Sequence, residues 1–204
     1  MEKVSLTTFV NFVLEVGFNR VTIVREAKGS DYSITADYWK RMREVIVRYF
    51  REGQSMPIIE DAVHNAHESK SANFKKALRG FKKFTKQYQN IHWEQPPSLI
   101  WPNQDQSMVG ISVNPELLLT ISGQTHLVKL YFKADSRRPK ISKERFASIA
   151  YLMSISFPDL VERNVKMSIL DVTTGRIITP EFKNEIEIML NADYQVFVQM
   201  WNSL

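Results

Sequence analysis

The chain has no cysteine, and that single absence removes disulfides, thiolate catalysis and cysteine-bound zinc together. Glycine is scarce, with seven in 204 residues, and none of them falls in a phosphate-cradling loop of either common type. Nucleoside-triphosphate and dinucleotide enzymes are therefore not indicated. Serines and histidines are present, but no Gly-X-Ser-X-Gly, so there is no hydrolase elbow. No stretch approaches the ~18–20 uninterrupted apolar residues that a membrane helix needs. The opening Met1-Glu2-Lys3-Val4 and the run Phe9–Val16, interrupted by Asn11 and Glu15, do not have the form of a signal peptide. These absences give the expectation of a cytoplasmic protein with no membrane partner.

What is present is an ordinary globular composition, 44% hydrophobic and 24% charged, in a length that suits one domain or two small ones packed together. The net charge of +5 is unevenly spread. Residues 1–95 hold 16 Lys/Arg against 11 Asp/Glu, while residues 96–204 hold 11 of each. All of the excess sits in the N-terminal half, which permits nucleic-acid binding.

The first half has helical periodicity. Leu6, Phe9, Val10, Val13 and Val16 recur at helical spacing, with Ser5 as cap and Gly17 as stop. Residues 18–28 suit a short strand or, preferably, a helix. Thr35–Glu52 places Trp39, Met42, Val45, Ile46, Tyr49 and Phe50 on one stripe and ends at Gly53. Pro57 opens a short helix to about His67. The most charged element follows, a basic helix over 70–91. Phe74, Leu78, Phe81, Phe84 or Thr85, Tyr88 and Ile91 mark its apolar side, while Lys70, Lys75, Lys76, Arg79, Lys82, Lys83 and Lys86 lie largely opposite.

Residues 93–107 hold three prolines and form a connector, yet Trp93, Leu99, Ile100 and Trp101 are too apolar for it to swing free. Beyond it, Ser142 caps a helix through Phe157 with Phe146, Ile149, Ala150, Met153 and Ile155 toward the core, ended by Pro158. Val165, Met167 and Ile169 alternate as a strand ending at Asp171, Thr174-Gly175 turns, and Ile177-Ile178 pair back. Thr179-Pro180-Glu181 then starts terminal helices burying Phe182, Ile186, Met189, Leu190, Phe197 and Trp201. The expected organisation is a mainly helical region 1–92, the Pro-rich connector 93–107, and an α+β region 108–204. The fold class is α+β, with a helical N-terminal half packed on a small sheet built around a long hairpin.

That hairpin spans 109–134 and turns at Ser122-Gly123. Pairing outward from the turn sets Ile121 against Gln124, Leu119 against His126, Leu117 against Val128, Pro115 against Leu130, Val113 against Phe132 and Ile111 against Ala134 on one, apolar face. The other face takes Thr120 against Thr125, Leu118 against Leu127, Glu116 against Lys129, Asn114 against Tyr131 and Ser112 against Lys133. A one-residue slip would place Lys129 and Lys133 on the apolar side, so the register is well specified. Pro115 has no amide hydrogen, and it implies a bulge or an unpaired edge.

The order helix, hairpin unit, helix, strand resembles the core of the restriction-endonuclease-like superfamily, whose hairpin carries one acid on its first strand and an acid-X-lysine on the next. Asn114-Pro115-Glu116-Leu117 and Val128-Lys129-Leu130-Tyr131-Phe132-Lys133 also resemble a group of uncharacterised bacterial proteins. The resemblance covers residues 75–171. It implies that Glu116 is the first acid, that Lys129 is the lysine that activates water, and that Mg²⁺ is the cofactor of an active member. One position departs from it: Leu127 stands where the second carboxylate belongs. Asp171, at the end of a later strand, is the residue available to replace it, which gives Glu116, Lys129 and Asp171 as catalytic candidates and Glu116 with Asp171 as metal ligands.

Plainer alternatives stand beside each motif. Glu116 and Lys129 also suit a cross-strand ion pair, worth a few tenths of a kcal/mol if exposed. The basic helix also suits a solvated face. If functional, Lys75, Lys76, Arg79, Lys82, Lys83, Lys86 and Lys133 would contact phosphates of DNA or RNA, extended by Arg137, Arg138 and Lys140. His64 and His67, one turn apart, suit a surface pair better than a metal corner. Three functions remain open: a nucleic-acid-associated protein whose nuclease-like core is incomplete, an active metal-dependent nuclease, and a protein-interaction module.

Overall fold

The computed structural model describes residues 2–29, 38–53, 55–102, 109–132, 143–181, 183 and 185–204. The chain enters through β1 (Lys3–Ser5) into α1 (Leu6–Val13), where the Ser5 hydroxyl accepts the Thr8 amide at 3.0 Å as an N-cap. Gly17, at φ +57°, turns it into α2 (Phe18–Gly29), so the ambiguous segment is helical. Val16 misses the apolar stripe and is 78% exposed, because the helix has already ended. α3 (Lys40–Arg51), α4 (Pro57–His64) and α5 (Glu68–Gln87) follow, with Gly53 left-handed after α3 and Pro57 in the first turn of α4. α5 stops at Gln87, because Tyr88 is already extended.

The connector supplies two short strands, β2 (His92–Glu94) and β3 (Leu99–Trp101), and it is therefore pinned to the fold. β4 (Gly110–Val113), β5 (Leu117–Ile121), β6 (Gln124–Tyr131), α6 (Lys143–Ser156), α7 (Pro158–Glu162), β7 (Lys166–Asp171), β8 (Arg176–Ile178) and α8 (Glu185–Ser203) complete the chain. Two sheets result. The larger runs β2-β5-β6-β7-β8, antiparallel except for the parallel β6–β7 pair, which α6 connects. The smaller runs β1-β4-β3.

The hairpin keeps its expected register from Leu117–Val128 to Ile121–Gln124, around a turn with Ser122 at φ +51° and Gly123 at φ +83°. Before Pro115 the expectation fails. β4 leaves the hairpin and joins the other sheet, where Ile111 pairs with Val4 and Trp101, and Val113 pairs with Leu99. The cause is local: Pro115 offers no amide, and the Leu130 amide is taken by the Glu116 carboxylate at 2.8 Å. The Glu116 amide donates to the Val128 carbonyl at 3.0 Å, so Glu116 and Leu117 both stand against Val128 in the two-for-one arrangement of a bulge. The expected partners Lys133 and Ala134 lie outside the described residues.

The contrast between an apolar and a polar hairpin face also gives way, since both faces are covered. Leu118, Leu127, Met167 and Ile169 pack into one core with α1, α6, α8 and the small sheet. Leu117, Leu119, Val128, Leu130, Leu170 and Val172 pack into a second core under α3, α4 and α5. Each core draws on residues from both sides of the connector. In the first, the rings of Phe9 and Phe12 meet Phe197 edge-on at 5.7 and 5.0 Å. Trp201 donates its indole N–H to Glu2 at 2.6 Å, and its carbonyl accepts from Lys28 at 2.7 Å.

The last third brings further corrections. Ile155 is 37% exposed rather than core, and Pro158 opens α7 as well as ending α6. Thr179-Pro180-Glu181 does not start a helix: the Thr179 hydroxyl bonds Ser168 at 2.8 Å on the sheet, and α8 begins only at Glu185. α8 buries Leu190, Tyr194, Phe197, Val198 and Trp201, leaves Ile186 half-buried and exposes Met189. Phe182 and Ser142 lie outside the described residues.

On the other side, α5 is pressed onto the β7–β8 turn. A Cβ at Gly80 would stand 2.2 Å from the Val172 carbonyl oxygen, and one at Gly175 (φ +71°) would stand 2.2 Å from the Gly80 carbonyl oxygen. Only glycine fits at either position.

Candidate functional site

The side chains of Glu116 and Lys129 meet, although the bulge sets the Glu116 backbone against Val128 rather than Lys129. Lys129 Nζ donates to Glu116 Oε1 at 2.6 Å and to the Asn114 carbonyl at 2.8 Å. Glu116 Oε2 accepts the Leu130 amide, and the Arg43 guanidinium of α3 stands 3.9 Å from Oε1. The two side chains keep only 14% and 13% of their exposure, so water screens the pair weakly. Both carboxylate oxygens are thus engaged at the bulge, where they hold the hairpin together at the point at which Pro115 interrupts its ladder.

Asp171 is placed beside Tyr131, two residues along β6 from Lys129. It is buried, and Oδ1 accepts from the Thr173 amide at 3.0 Å, the Thr173 hydroxyl at 2.8 Å and the Thr174 amide at 3.3 Å, an Asx turn that shapes the link to β8. Leu127, where the resemblance led to the expectation of a second acid, is fully buried in the first core. Mg²⁺ needs oxygen ligands in an octahedral array. Glu116 offers oxygens already tied to an ammonium and an amide, Leu127 offers none, and Asp171 is turned on its own loop. Among the described residues no group of three or more His, Asp and Glu side chains is close enough to hold a metal ion. The residues present do not fit the metal.

The basic residues of α5 lie where the helix periodicity places them. Lys75, Lys76, Arg79, Lys82, Lys83 and Lys86 are exposed, while Phe74, Ala77, Phe81 and Phe84 are buried. Lys82 pairs with Glu60 of α4, and Lys70 lies over the Tyr38 ring at 5.0 Å. Lys133, Arg137, Arg138 and Lys140 lie outside the described residues. His64 and His67 are exposed, and His67 Nδ1 accepts the Ser69 amide as the N-cap of α5.

A second cationic element carries no family motif. α3 presents Arg41, Arg43, Arg48 and Arg51 to a groove of about 800 Å³ whose far wall is Ile58, Asp61 and Ala62 of α4. The arginines are visible in the sequence, interleaved with the apolar stripe. No local signal shows that α4 folds alongside them. Together residues 40–86 carry twelve Lys/Arg and five Asp/Glu, a net of +7 against +5 for the whole chain, so the rest of the molecule is net −2.

One histidine sits in a polar network. His126 Nδ1 is 2.9 Å from the Ser168 hydroxyl, which is itself 2.8 Å from Thr179, and burial followed by the nearby Lys166 charge lowers the imidazole pKa from its ordinary value. Ser168 is fully buried, which fits a structural hydrogen bond rather than a nucleophile. Comparison of the chain with protein-family models, with curated proteins and with solved structures finds no match.

Proposed function

We propose that this protein binds nucleic acid through the cationic helical layer α3–α5, carried on a nuclease-like core whose Glu116 centre serves structure and does not cleave. The observation that supports this reading is the segregation of charge: a layer of net +7 with an exposed lysine face, on a molecule otherwise net −2. Lysines that project from one helix face give phosphate contacts that do not depend on sequence. The nuclease-like part of the reading is supported by the hairpin β5–β6 followed by α6 and by β7 parallel to β6. Loss of cleavage is supported by the engagement of both Glu116 oxygens and by Leu127 in the acid's position.

Fluorescence anisotropy with labelled DNA and RNA across a salt series tests it. Binding at low salt should weaken steeply as salt rises. Charge reversal at Lys75 and Lys76 should lower the slope of log K against log salt by about 0.7–0.9 for each phosphate that the variant no longer neutralises. No affinity at low salt sinks the proposal and favours a protein-interaction module. Incubation with Mg²⁺ or Mn²⁺ should leave the nucleic acid intact. Cleavage that disappears in Glu116→Gln would instead establish an active nuclease using Glu116, Lys129 and Asp171.

A further inference from the structure

The groove between α3 and α4 is separate from the lysine face of α5. Ile58, Asp61 and Ala62 line it from one side of α4, whereas Glu60, which pairs with Lys82, is set roughly 200° around that helix from Ile58. Its volume of about 800 Å³ is that of a small-molecule site. Its lining is of three kinds: guanidinium groups (Arg41, Arg43, Arg48, Arg51), an apolar wall that includes Val45, Ile58 and Ala62, and the carboxylates of Glu44 and Asp61, beside a Glu116 whose oxygens are already engaged by Lys129 and the Leu130 amide. A bare polyanion would be repelled by those carboxylates, and an apolar ligand would leave the arginines unused. A ligand with a phosphate at one end and a flat, weakly polar body with N–H or O–H donors at the other matches all three.

The chain itself shows that the arginines can converge on an anion. Arg48 Nε donates to Glu52 Oε2 at 2.7 Å and Arg51 Nη2 to Oε1 at 3.3 Å, so two guanidinium groups one helical turn apart share one carboxylate. Both arginines are 55% exposed and Glu52 is 38% exposed. An ion pair this wet is readily exchanged for a stronger anion. The Arg48 guanidinium holds the Glu52 carboxyl below its ordinary pKa, so the stand-in is charged at neutral pH. Arg41 spends one donor on the Asn65 carbonyl at 3.1 Å, which ties its guanidinium to the α4 side of the groove.

We propose that this groove binds a nucleoside phosphate, its phosphate displacing Glu52 from Arg48 and Arg51 and its base lying on the apolar wall. The same chemistry is offered by a free nucleotide and by the phosphorylated end of a polynucleotide. Isothermal titration of the intact protein with adenosine 5′-monophosphate at low salt tests the site. Binding should be about tenfold weaker for adenosine, which lacks the phosphate, and Arg48→Ala should weaken the monophosphate by a similar factor. Glu52→Gln releases the two arginines and should tighten it several-fold, a gain that no misfolded variant could produce. Lys75→Glu with Lys76→Glu, on the other face, should leave it within about twofold, so failure of the lysine-face reading and failure of this one are seen separately. Competition by a 5′-phosphorylated but not a 5′-hydroxyl oligothymidylate assigns the site to a polynucleotide end, and its failure assigns it to a free nucleotide. Adenosine binding as tightly as the monophosphate, no binding of the monophosphate, or indifference to both Arg48→Ala and Glu52→Gln would each overturn the proposal.

Discussion

Replacing Glu116 by glutamine separates a structural carboxylate from a catalytic one by the sign of the stability change. In the folded chain this side chain neutralises Lys129, accepts the Leu130 amide and faces Arg43, at 13% side-chain exposure. Breaking an exposed ion pair costs about 0–1 kcal/mol. Orphaning one member of a buried pair costs about 3–5 kcal/mol. At this exposure the loss lies nearer the second limit, about 3 kcal/mol, which for a chain of 204 residues lowers Tm by roughly 6–12 °C. Lys129→Met should cost somewhat less, about 2 kcal/mol, because Glu116 keeps the amide and Arg43. The double variant should recover part of the loss, with a coupling of about 2 kcal/mol in a urea-denaturation cycle. A carboxylate held in place for catalysis behaves in the opposite way, since such groups are kept at a cost and their removal is commonly neutral or stabilising. A Glu116→Gln variant as stable as its parent, or a coupling below about 0.5 kcal/mol, would refute the structural role.

Further outcomes can be checked alongside it. Gly80→Ala should gain about 1 kcal/mol from helix propensity yet lose more to the collision with the Val172–Thr173 backbone, a net loss of roughly 1–3 kcal/mol in urea melts. A stabilised variant would show that α5 can lift off the turn. Leu127→Asp puts a charge in the first core, costs about 4 kcal/mol or more and should show as a diminished near-UV CD signal; a fully folded variant would contradict that burial. His126 gives up its proton more readily folded than unfolded. Its contribution is therefore present above the unfolded value of about pH 6.5 and is lost as the pH falls from there through the lowered folded value, so stability should fall as the pH is taken below about 6.5, and fall less in His126→Gln. An unchanged slope in that variant would remove His126 as the cause.

Local chemistry made much of this fold legible. Ser122-Gly123 sets the turn and alternation sets the register as far as Leu117–Val128, and the nearness of Glu116 to Lys129 survives the bulge that sets Glu116 against Val128. Pro115 likewise marks the break in the strand. Where the strand goes after that break is a non-local matter: residues 110–113 alternate in the same way whether they continue the hairpin or pair with Val4, more than a hundred positions away. Thr179 shows the same limit, since a cap and a sheet contact use one hydroxyl and only the presence of Ser168 decides between them. The α3 groove is less legible still. Its arginines are plain in the sequence, but its concavity is made by α4, and nothing local shows which face of α4 turns inward.

The two cores on either face of the large sheet also have a consequence for synthesis. Apart from Leu170 and Val172, the buried residues under α3–α5 lie between Met42 and Phe132, so most of that core can close while the remainder of the chain is still being made. Phe9 and Phe12 emerge far earlier, yet their ring partner Phe197 and the anchoring Trp201 come last. Until α8 has been made, Phe9 and Phe12 lack the ring that meets them edge-on, so that part of the first core closes later than the core under α3–α5.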